Sequence, residues 1–101
     1  MPRKSSADWL DDGLQHIWLP YSQMKTAVDP LPVVGAKGSY IHLADGRKLL
    51  DCISSWWSVC HGYQHPHIVK AIQQQADTLN HVMLGGLAHE QAYKLATRLS
   101  A

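Results

Sequence analysis

The stretch that decides the fold is Ser-Tyr-Ile-His-Leu-Ala-Asp-Gly-Arg-Lys-Leu-Leu-Asp-Cys-Ile, residues 39–53. Two runs rich in apolar residues flank Asp45-Gly46, and Asp-Gly between two such runs is typical of a tight hairpin turn. Val33-Val34 precedes these runs and adds a further strand-like segment. The sequence therefore predicts a small antiparallel meander of two or three strands over approximately residues 33–53.

Three prolines, Pro20, Pro30 and Pro32, restrict the backbone before the meander. Because proline holds the residue before it in extended conformations, residues 19–32 are predicted as loop or extended chain. A short helical turn is predicted earlier, beginning at Asp8. No helix is therefore expected directly before the first strand.

Two amphipathic helices are predicted after the meander. Residues 54–65 have no regular pattern, and Pro66 then suits the first turn of a helix. Apolar residues recur at helical spacing from Pro66 to Leu79, and a second such pattern begins near Ala88. The predicted fold class is therefore α/β: an α+β segment in which a small antiparallel meander is followed by two helices.

The second of these helices has no stop signal before the sequence ends. Arg98-Leu99-Ser100-Ala101 continues the helical pattern, and no Gly, Asn or Pro follows to cap the last carbonyl groups. We therefore expect the chain to be cut inside a structural element, as one piece of a larger protein.

The composition excludes several classes of protein. The 101 residues are 46% apolar with a formal net charge of +1, which is too apolar and too nearly neutral for a wholly disordered chain. A nucleic-acid or membrane-surface binder would show a basic stripe, and no apolar run approaches the ~18 residues that span a bilayer. Residues 1–6 carry two positive charges with no apolar stretch behind them, so we expect a cytoplasmic protein without a secretory signal.

The histidine and cysteine residues give only weak signs of metal chemistry. His61, His65 and His67 lie near Cys60, but their spacing matches no standard zinc motif. Hydrogen-bonded structural roles are favoured for these histidines, and no metal ligand is predicted. Cys52 and Cys60 are too few for a disulfide framework, so we expect two small buried apolar side chains.

The aromatic residues are the clearest sign of a binding pocket. The sequence holds four Trp and no Phe, and Trp56 and Trp57 are adjacent. Because neighbouring side chains of an extended chain point to opposite sides, one indole could enter the core while the other lines a cavity. That both pack as core hydrophobes is an equally good interpretation. Tyr21, in a loop stiffened by Pro20, suits either a stacking wall for a planar ligand or a peripheral core anchor.

An ordered series of motifs resembles one enzyme family, the class III, pyridoxal-phosphate-dependent aminotransferases. Within that family, the resemblance is to the aminotransferases of biotin biosynthesis, and it covers residues 16–100. The Trp-x-Pro-Tyr loop and the Ser-Ser-Trp-Trp stretch are similar to those enzymes in particular. The motifs follow in the family's order and approximate spacing: His16-Ile17-Trp18-Leu19-Pro20-Tyr21, Asp45-Gly46-Arg47, Ser54-Ser55-Trp56-Trp57, His61-Gly62-Tyr63-Gln64-His65-Pro66 and His81-Val82-Met83-Leu84-Gly85-Gly86.

The resemblance implies a fold type I transferase built as a homodimer. Residues 1–101 would be its N-terminal segment, contributing to the small domain and the rim of the active site. The large domain that binds pyridoxal 5'-phosphate would lie outside this chain. The loop at residues 81–86 resembles the family segment that lies near the dimer interface.

The resemblance also implies substrates and substrate-binding residues. The implied substrates are S-adenosylmethionine and 8-amino-7-oxononanoate. Tyr21 matches the family tyrosine that recognises the amino-oxononanoate and stacks on the adenine of S-adenosylmethionine. Trp56 matches the tryptophan that contacts the amino-oxononanoate, and Trp57 lies beside it in the same pocket wall.

The residues that carry out the chemistry in this family have no counterpart in the sequence. The cofactor-binding lysine, the phosphate-binding Gly-Ser, the aspartate facing the pyridine nitrogen and the carboxylate-binding arginine belong to later parts of the family sequences. The resemblance thus implies amino transfer by the complete enzyme, while the 101-residue chain alone is expected to be inactive. Leu19, Leu84 and Ala88 depart from the family pattern without removing a predicted substrate residue. The alternatives are a fragment of another class III aminotransferase and a non-enzymatic interaction module.

Overall fold

The computed structural model describes residues 7–101. Residues 1–6, on which the expectation about a secretory signal rests, lie outside the described residues. The chain divides into two compact units, which adjoin in sequence at His65 and Pro66.

The first unit contains one short helix and a three-stranded sheet. Helix α1 (Asp8–Leu14) begins where the sequence predicts a helical turn. Strands β1 (Val33–Lys37), β2 (Tyr40–Leu43) and β3 (Lys48–Leu50) pair antiparallel in the order β1-β2-β3. The predicted meander is therefore confirmed, with Ile41 of the central strand opposite Ala36 and Leu49.

The turn between β2 and β3 forms at Asp45-Gly46, as the sequence predicts. Gly46 has a φ of 87°, a left-handed conformation that glycine adopts without steric cost. The Asp45 carboxylate accepts a hydrogen bond from the Arg47 backbone N–H at 3.0 Å and pairs with the Arg47 guanidinium at 2.8 Å. These contacts close the hairpin, and the backbone bond is the main reason that the pKa of Asp45 is lowered.

A single helical turn, α2 (Ser54–Trp57), follows the sheet, and its backbone is left-handed. All four residues have positive φ, between 44° at Ser55 and 69° at Trp57. For L-residues this conformation costs roughly 1–2 kcal/mol each, because the β-carbon crowds the following carbonyl oxygen. The sequence predicted only an irregular segment at this position, and the conformation is a finding of the structure.

The second unit contains two helices with exposed apolar faces. Helix α3 (Pro66–Thr78) begins at the predicted proline and ends one residue before the predicted limit. Helix α4 (Glu90–Leu99) begins two residues later than predicted, after His89 in an extended conformation. Neither helix contains a buried residue, and Ile72 and Leu95 are 63% and 58% exposed.

Little of the described chain is buried. Among residues 7–101, only Ala7 and Leu43 are buried apolar residues, and Leu43 closes the end of β2. Cys52 and Cys60 are free and exposed, so the expectation that they are buried is wrong: Cys52 lies just beyond the end of β3, where nothing covers it. No helix within residues 7–101 has the length and apolar character needed to cross a membrane.

Candidate functional site

The structure brings two of the three predicted substrate residues into contact. The ring centroids of Tyr21 and Trp56 lie 5.3 Å apart with an interplanar angle of 71°, an edge-to-face arrangement that aromatic pairs favour. Trp57 lies next along the chain and makes no ring contact within the described residues. Tyr21 and Trp57 are 94% and 85% exposed, and Trp56 is half-exposed. Tyr21, Trp56 and Trp57 are termed the aromatic cluster below.

The tryptophan pair has a backbone that the sequence does not predict. At Trp56 and Trp57 it is left-handed rather than extended, so the two side chains do not alternate across an extended chain. Within the described residues neither indole is buried, and the Tyr21 ring is almost fully exposed. The assignment of these rings to a core or to a binding pocket stays a prediction.

All three residues of the aromatic cluster have positive φ: 51° at Tyr21, 56° at Trp56 and 69° at Trp57. Bulky residues rarely adopt this conformation, which persists only where the surrounding structure enforces it. Such strained residues concentrate at ligand-binding and active sites. The three residues with this unusual backbone conformation are therefore the same residues that the sequence predicts to bind substrate.

The carboxylate of Asp51 holds the left-handed turn in place. Its Oδ1 accepts a hydrogen bond from the Ile53 N–H at 3.0 Å, and its Oδ2 accepts one from the Ser55 N–H at 2.8 Å. The Tyr63 hydroxyl donates to the same Oδ2 at 2.6 Å and also contacts the Ser55 hydroxyl. One carboxylate thus joins the chain before the turn, the turn itself and a residue beyond it. Asp51, Ser55 and Tyr63 are termed the polar network below.

The backbone of Tyr63 is fixed to the turn between β1 and β2. Two hydrogen bonds join it to Gly38, from the Gly38 N–H at 3.0 Å and to the Gly38 carbonyl at 2.8 Å. Gly62 has a φ of 80°, and a β-carbon at this position would lie 3.2 Å from the Gly38 carbonyl oxygen. The close approach of these two segments therefore requires glycine at position 62.

Hydrogen bonding within the polar network changes the acidity of two of its members. The pKa of Asp51 is lowered, first by the hydrogen bond from Tyr63 and then by the backbone N–H groups of Ile53 and Ser55. The pKa of Tyr63 is raised, chiefly because its hydroxyl donates to the Asp51 carboxylate. The network is therefore arranged for a charged Asp51 and a neutral Tyr63 near neutral pH.

A small recess lies beside the polar network. Its volume is about 90 Å³, and its lining includes Gly38, Asp51, Cys60 and Tyr63. Pockets for ligands of drug size have volumes of about 300–1,000 Å³, so this recess is too small for such a ligand. The aromatic cluster itself is exposed within this unit.

The histidines form a ring contact and not a metal centre. The rings of His61 and His65 lie edge to face, with centroids 6.3 Å apart. Within residues 7–101, no group of three or more His, Cys, Asp or Glu residues is arranged to hold a metal ion.

Asp51 and Tyr63 are site residues that the sequence does not predict. The sequence predicts a meander that includes Asp51 and an irregular segment that includes Tyr63, whereas Asp51 lies directly after β3 in the structure. An aspartate that bonds to the backbone N–H two residues later is a common turn signal, and the Asp51–Ile53 bond has this form. That signal could have identified Asp51, whereas the bond from Tyr63 depends on the tertiary fold.

A sequence model of the class III aminotransferases matches residues 21–101. The chain is also similar to adenosylmethionine-8-amino-7-oxononanoate aminotransferases. It is 55% identical over 84 residues to that of Synechococcus elongatus, covering 83% of this chain and 20% of the relative. It is 35% identical over 97 residues to that of Saccharomyces cerevisiae, covering 92% of this chain and 20% of the relative. The chain thus spans about one fifth of the length of these relatives.

Solved structures show the same relationship. The adenosylmethionine-8-amino-7-oxononanoate aminotransferase of Methanocaldococcus jannaschii matches with a TM-score of 0.79 and 33% identity, over 90% of this chain and 20% of that one. The taurine:2-oxoglutarate aminotransferase of Bifidobacterium kashiwanohense, solved with pyridoxal phosphate and glutamate, matches with a TM-score of 0.81 and 25% identity. That match covers 98% of this chain and 22% of the other. The fold is an α/β piece of such enzymes, and the chain belongs to the class III aminotransferases.

Proposed function

We propose that the chain is the N-terminal segment of an enzyme that transfers an amino group from S-adenosylmethionine to 8-amino-7-oxononanoate, giving 7,8-diaminononanoate. The names of its relatives support this reaction, at 55% identity in Synechococcus elongatus and 35% in Saccharomyces cerevisiae. Because the chain covers 20% of each relative, the activity is proposed for the complete protein and not for residues 1–101 alone.

The contact between Tyr21 and Trp56 is the observation that carries the proposal. These residues are far apart in the sequence, and their rings meet edge to face at 5.3 Å while staying open to solvent. An adenine ring and a long apolar keto-acid chain both favour flat apolar surfaces, which indole and phenol rings provide with few rotamers to order. We assign Tyr21, Trp56 and Trp57 to substrate binding in the complete enzyme.

The cofactor of the class is pyridoxal 5'-phosphate, which supplies an electron sink for amino transfer. The aromatic cluster suits the substrate side of such a site, because it exposes ring faces while the nearby Asp51 carboxylate is already hydrogen-bonded. We propose that residues outside this chain bind the cofactor and perform the catalytic steps. This chain then selects and orients the substrates.

The same proposal includes the assembly and location of the complete enzyme. We propose a homodimer, with the loop at residues 81–86 near the interface between subunits. We also propose a cytoplasmic location, in which small metabolites and not nucleic acids or membranes are the binding partners. The near-neutral composition, with a formal net charge of +1, supports this choice of partners.

The test uses the complete gene product that contains these residues, purified with pyridoxal phosphate. Its conversion of 8-amino-7-oxononanoate to 7,8-diaminononanoate is measured by mass spectrometry with S-adenosylmethionine, glutamate, alanine or taurine as donor. We expect product with S-adenosylmethionine, at a rate at least about tenfold above the other donors. The isolated 101-residue chain is the control and is expected to give no product.

Other outcomes distinguish the alternatives. Turnover only with another donor and acceptor would assign the protein to a different branch of the class, as in the taurine:2-oxoglutarate aminotransferase whose fold it shares. A complete gene product without transaminase activity toward any donor would leave a binding or interaction role and contradict the proposal.

A further inference from the structure

We propose that Asp51 and Tyr63 are positioning residues that hold the left-handed turn and thereby set the place of Trp56 in the substrate wall. The inference rests on the proposed function, because it assigns these residues a role in substrate selection. Neither residue is placed against the substrate: Asp51 acts through Ser55, and Tyr63 acts through Asp51.

The left-handed turn has a conformational cost. Four successive residues with side chains, Ser54–Trp57, have positive φ, which an isolated chain would avoid. The Asp51 carboxylate compensates by accepting hydrogen bonds from the backbone N–H groups of Ile53, just before the turn, and of Ser55, within it. The direction of the Ser55 N–H depends on the backbone angles of Ser54, so a right-handed Ser54 would direct it elsewhere, and the Ser55 bond therefore favours the left-handed form.

Both positioning residues are anchored to the same turn of the sheet. The Asp51 N–H donates to the Ser39 carbonyl at 2.9 Å. Tyr63 exchanges two backbone hydrogen bonds with the adjacent Gly38. The backbone therefore brings Tyr63 close to Asp51, and the Tyr63 hydroxyl donates to the Asp51 carboxylate at 2.6 Å. The left-handed turn is thereby joined to the sheet through both residues.

The left-handed turn is linked to the aromatic cluster through Trp56. Trp56 directly follows Ser55, whose N–H bonds to Asp51. The Tyr21–Trp56 contact holds only while the backbone at Trp56 keeps its φ of 56° and ψ of 51°, since another backbone conformation redirects the indole. Loss of the Asp51 bonds should therefore move the indole away from Tyr21.

The test is a double-mutant cycle in the complete gene product. Asp51→Asn replaces one acceptor oxygen with an amide group, and Tyr63→Phe removes the hydroxyl that donates to Asp51; each is made alone and together with Trp56→Phe. We expect Asp51→Asn to raise the KM for 8-amino-7-oxononanoate by an order of magnitude, with a smaller change in kcat. In the Trp56→Phe background the same substitution should change KM by less than about twofold, because coupled residues are not additive.

Two substitutions in the same unit serve as matched controls. Asp45→Asn removes a carboxylate that also accepts a backbone N–H at 3.0 Å, but in the turn between β2 and β3. Tyr40→Phe removes a hydroxyl that makes no hydrogen bond within the described residues. Both should leave KM within about twofold of the wild-type value.

Additive effects of Asp51→Asn and Trp56→Phe on KM would overturn the inference, as would a loss of thermal stability with unchanged KM. If Asp51→Asn fails to fold, the milder Tyr63→Phe replaces it in the same double-mutant cycle with Trp56→Phe.

Near-UV circular dichroism gives a second readout that needs no enzymatic activity. Asp51→Asn should change the tryptophan band more in the wild type than in Trp56→Phe, where Trp57 is the tryptophan that remains in the turn, and equal changes in both would contradict the inference.

Failure of the proposed function gives a different result from failure of this inference. A gene product inactive with S-adenosylmethionine refutes the reaction, while the circular dichroism cycle still decides whether Asp51 positions Trp56. An active gene product in which the cycle is additive keeps the reaction and refutes the positioning role.

Discussion

The segment from β1 to Tyr63 and the segment Pro66–Ala101 differ in what fixes their structure. The first adopts a costly left-handed turn that hydrogen bonds within the segment hold in place, centred on the Asp51 carboxylate. The second consists of ordinary helices, α3 and α4, with no buried residue. Contacts within the first segment therefore fix the positions of particular side chains. The second has apolar faces whose burial requires surfaces beyond its own helices.

The two segments therefore depend on different kinds of contact. In the first segment, polar contacts centred on Asp51 support the turn that carries Trp56, whose ring meets that of Tyr21 from an earlier part of the chain. We propose that a loss of any one polar contact alters substrate binding. In the second, helix formation relies on short-range contacts such as the bond from the Gln75 amide to the Leu79 carbonyl at 2.7 Å. Substitutions in the two segments should therefore have different consequences.

The largest expected effect is on substrate binding, from Trp56→Ala in the first segment. Because we propose that the Trp56 indole contacts the substrate, its loss should lower kcat/KM for 8-amino-7-oxononanoate by roughly 10- to 100-fold, in line with about 1.5–3 kcal/mol for a buried aromatic side chain. Tyr93→Ala removes an exposed aromatic ring of α4 and should change KM by less than about twofold. Steady-state kinetics of the complete gene product measure both. Equal losses of kcat/KM in Trp56→Ala and Tyr93→Ala would contradict a functional difference between the two segments.

The next effect is on stability, from alanine at two glycines. Gly62→Ala places a β-carbon at a φ of 80° and 3.2 Å from the Gly38 carbonyl oxygen, so it should destabilise the protein by roughly 1–3 kcal/mol. Gly13→Ala meets nothing within 4 Å and has no positive φ, so its effect should stay within about 1 kcal/mol. Urea unfolding of the complete gene product compares the two. The comparison fails if Gly13→Ala costs as much as Gly62→Ala.

A smaller effect is the pH dependence of the polar network. Because the pKa of Asp51 is lowered in the fold, its contribution to stability is present above the ordinary aspartate value of about 3.9 and is lost as pH falls through the folded value. The raised pKa of Tyr63 gives a contribution present below about 10 and lost as pH rises further. The difference in urea midpoint between wild type and Asp51→Asn should therefore shrink between about pH 5 and pH 2. A constant difference over that range would contradict the role of the Asp51 charge.

The smallest effect is expected in the second segment, from Lys94→Gln. The Lys94 ammonium lies 2.6 Å from the Glu90 carboxylate, and both groups are more than half exposed, so the pair contributes little to folding. The pKa of Glu90 is lowered by Lys94 and should rise toward its ordinary value in the variant, as an NMR titration would show. The unfolding midpoint should stay within error of the wild type. A loss as large as that of Gly62→Ala would show that local charge holds α4 together.

The sequence predicts those parts of the fold that depend on local chemistry. Asp45-Gly46 predicts the hairpin because that dipeptide favours the required turn, and Pro66 marks the start of α3 because its φ suits a first helical turn. The start of α4 is less sharp, since His89 makes no side-chain cap and the apolar pattern begins before the helix.

The candidate site is only partly predictable from the sequence. The resemblance to the family identifies Tyr21, Trp56 and Trp57, and the structure brings the first two together. The left-handed turn leaves no mark in the residue types, because serine and tryptophan are not the residues that favour positive φ. The contact between Asp51 and Tyr63 depends on the pairing of Gly38 with Tyr63, which no local pattern reveals.

The most direct test of the account is a crystal structure of the complete gene product with bound 8-amino-7-oxononanoate. We expect positive φ at all four residues of the turn Ser54–Trp57, the Asp51 carboxylate bonded to the Ser55 N–H, and the Trp56 indole in van der Waals contact with the ligand, at about 4 Å. A right-handed or extended turn, or a ligand bound away from Trp56 and Tyr21, would contradict it.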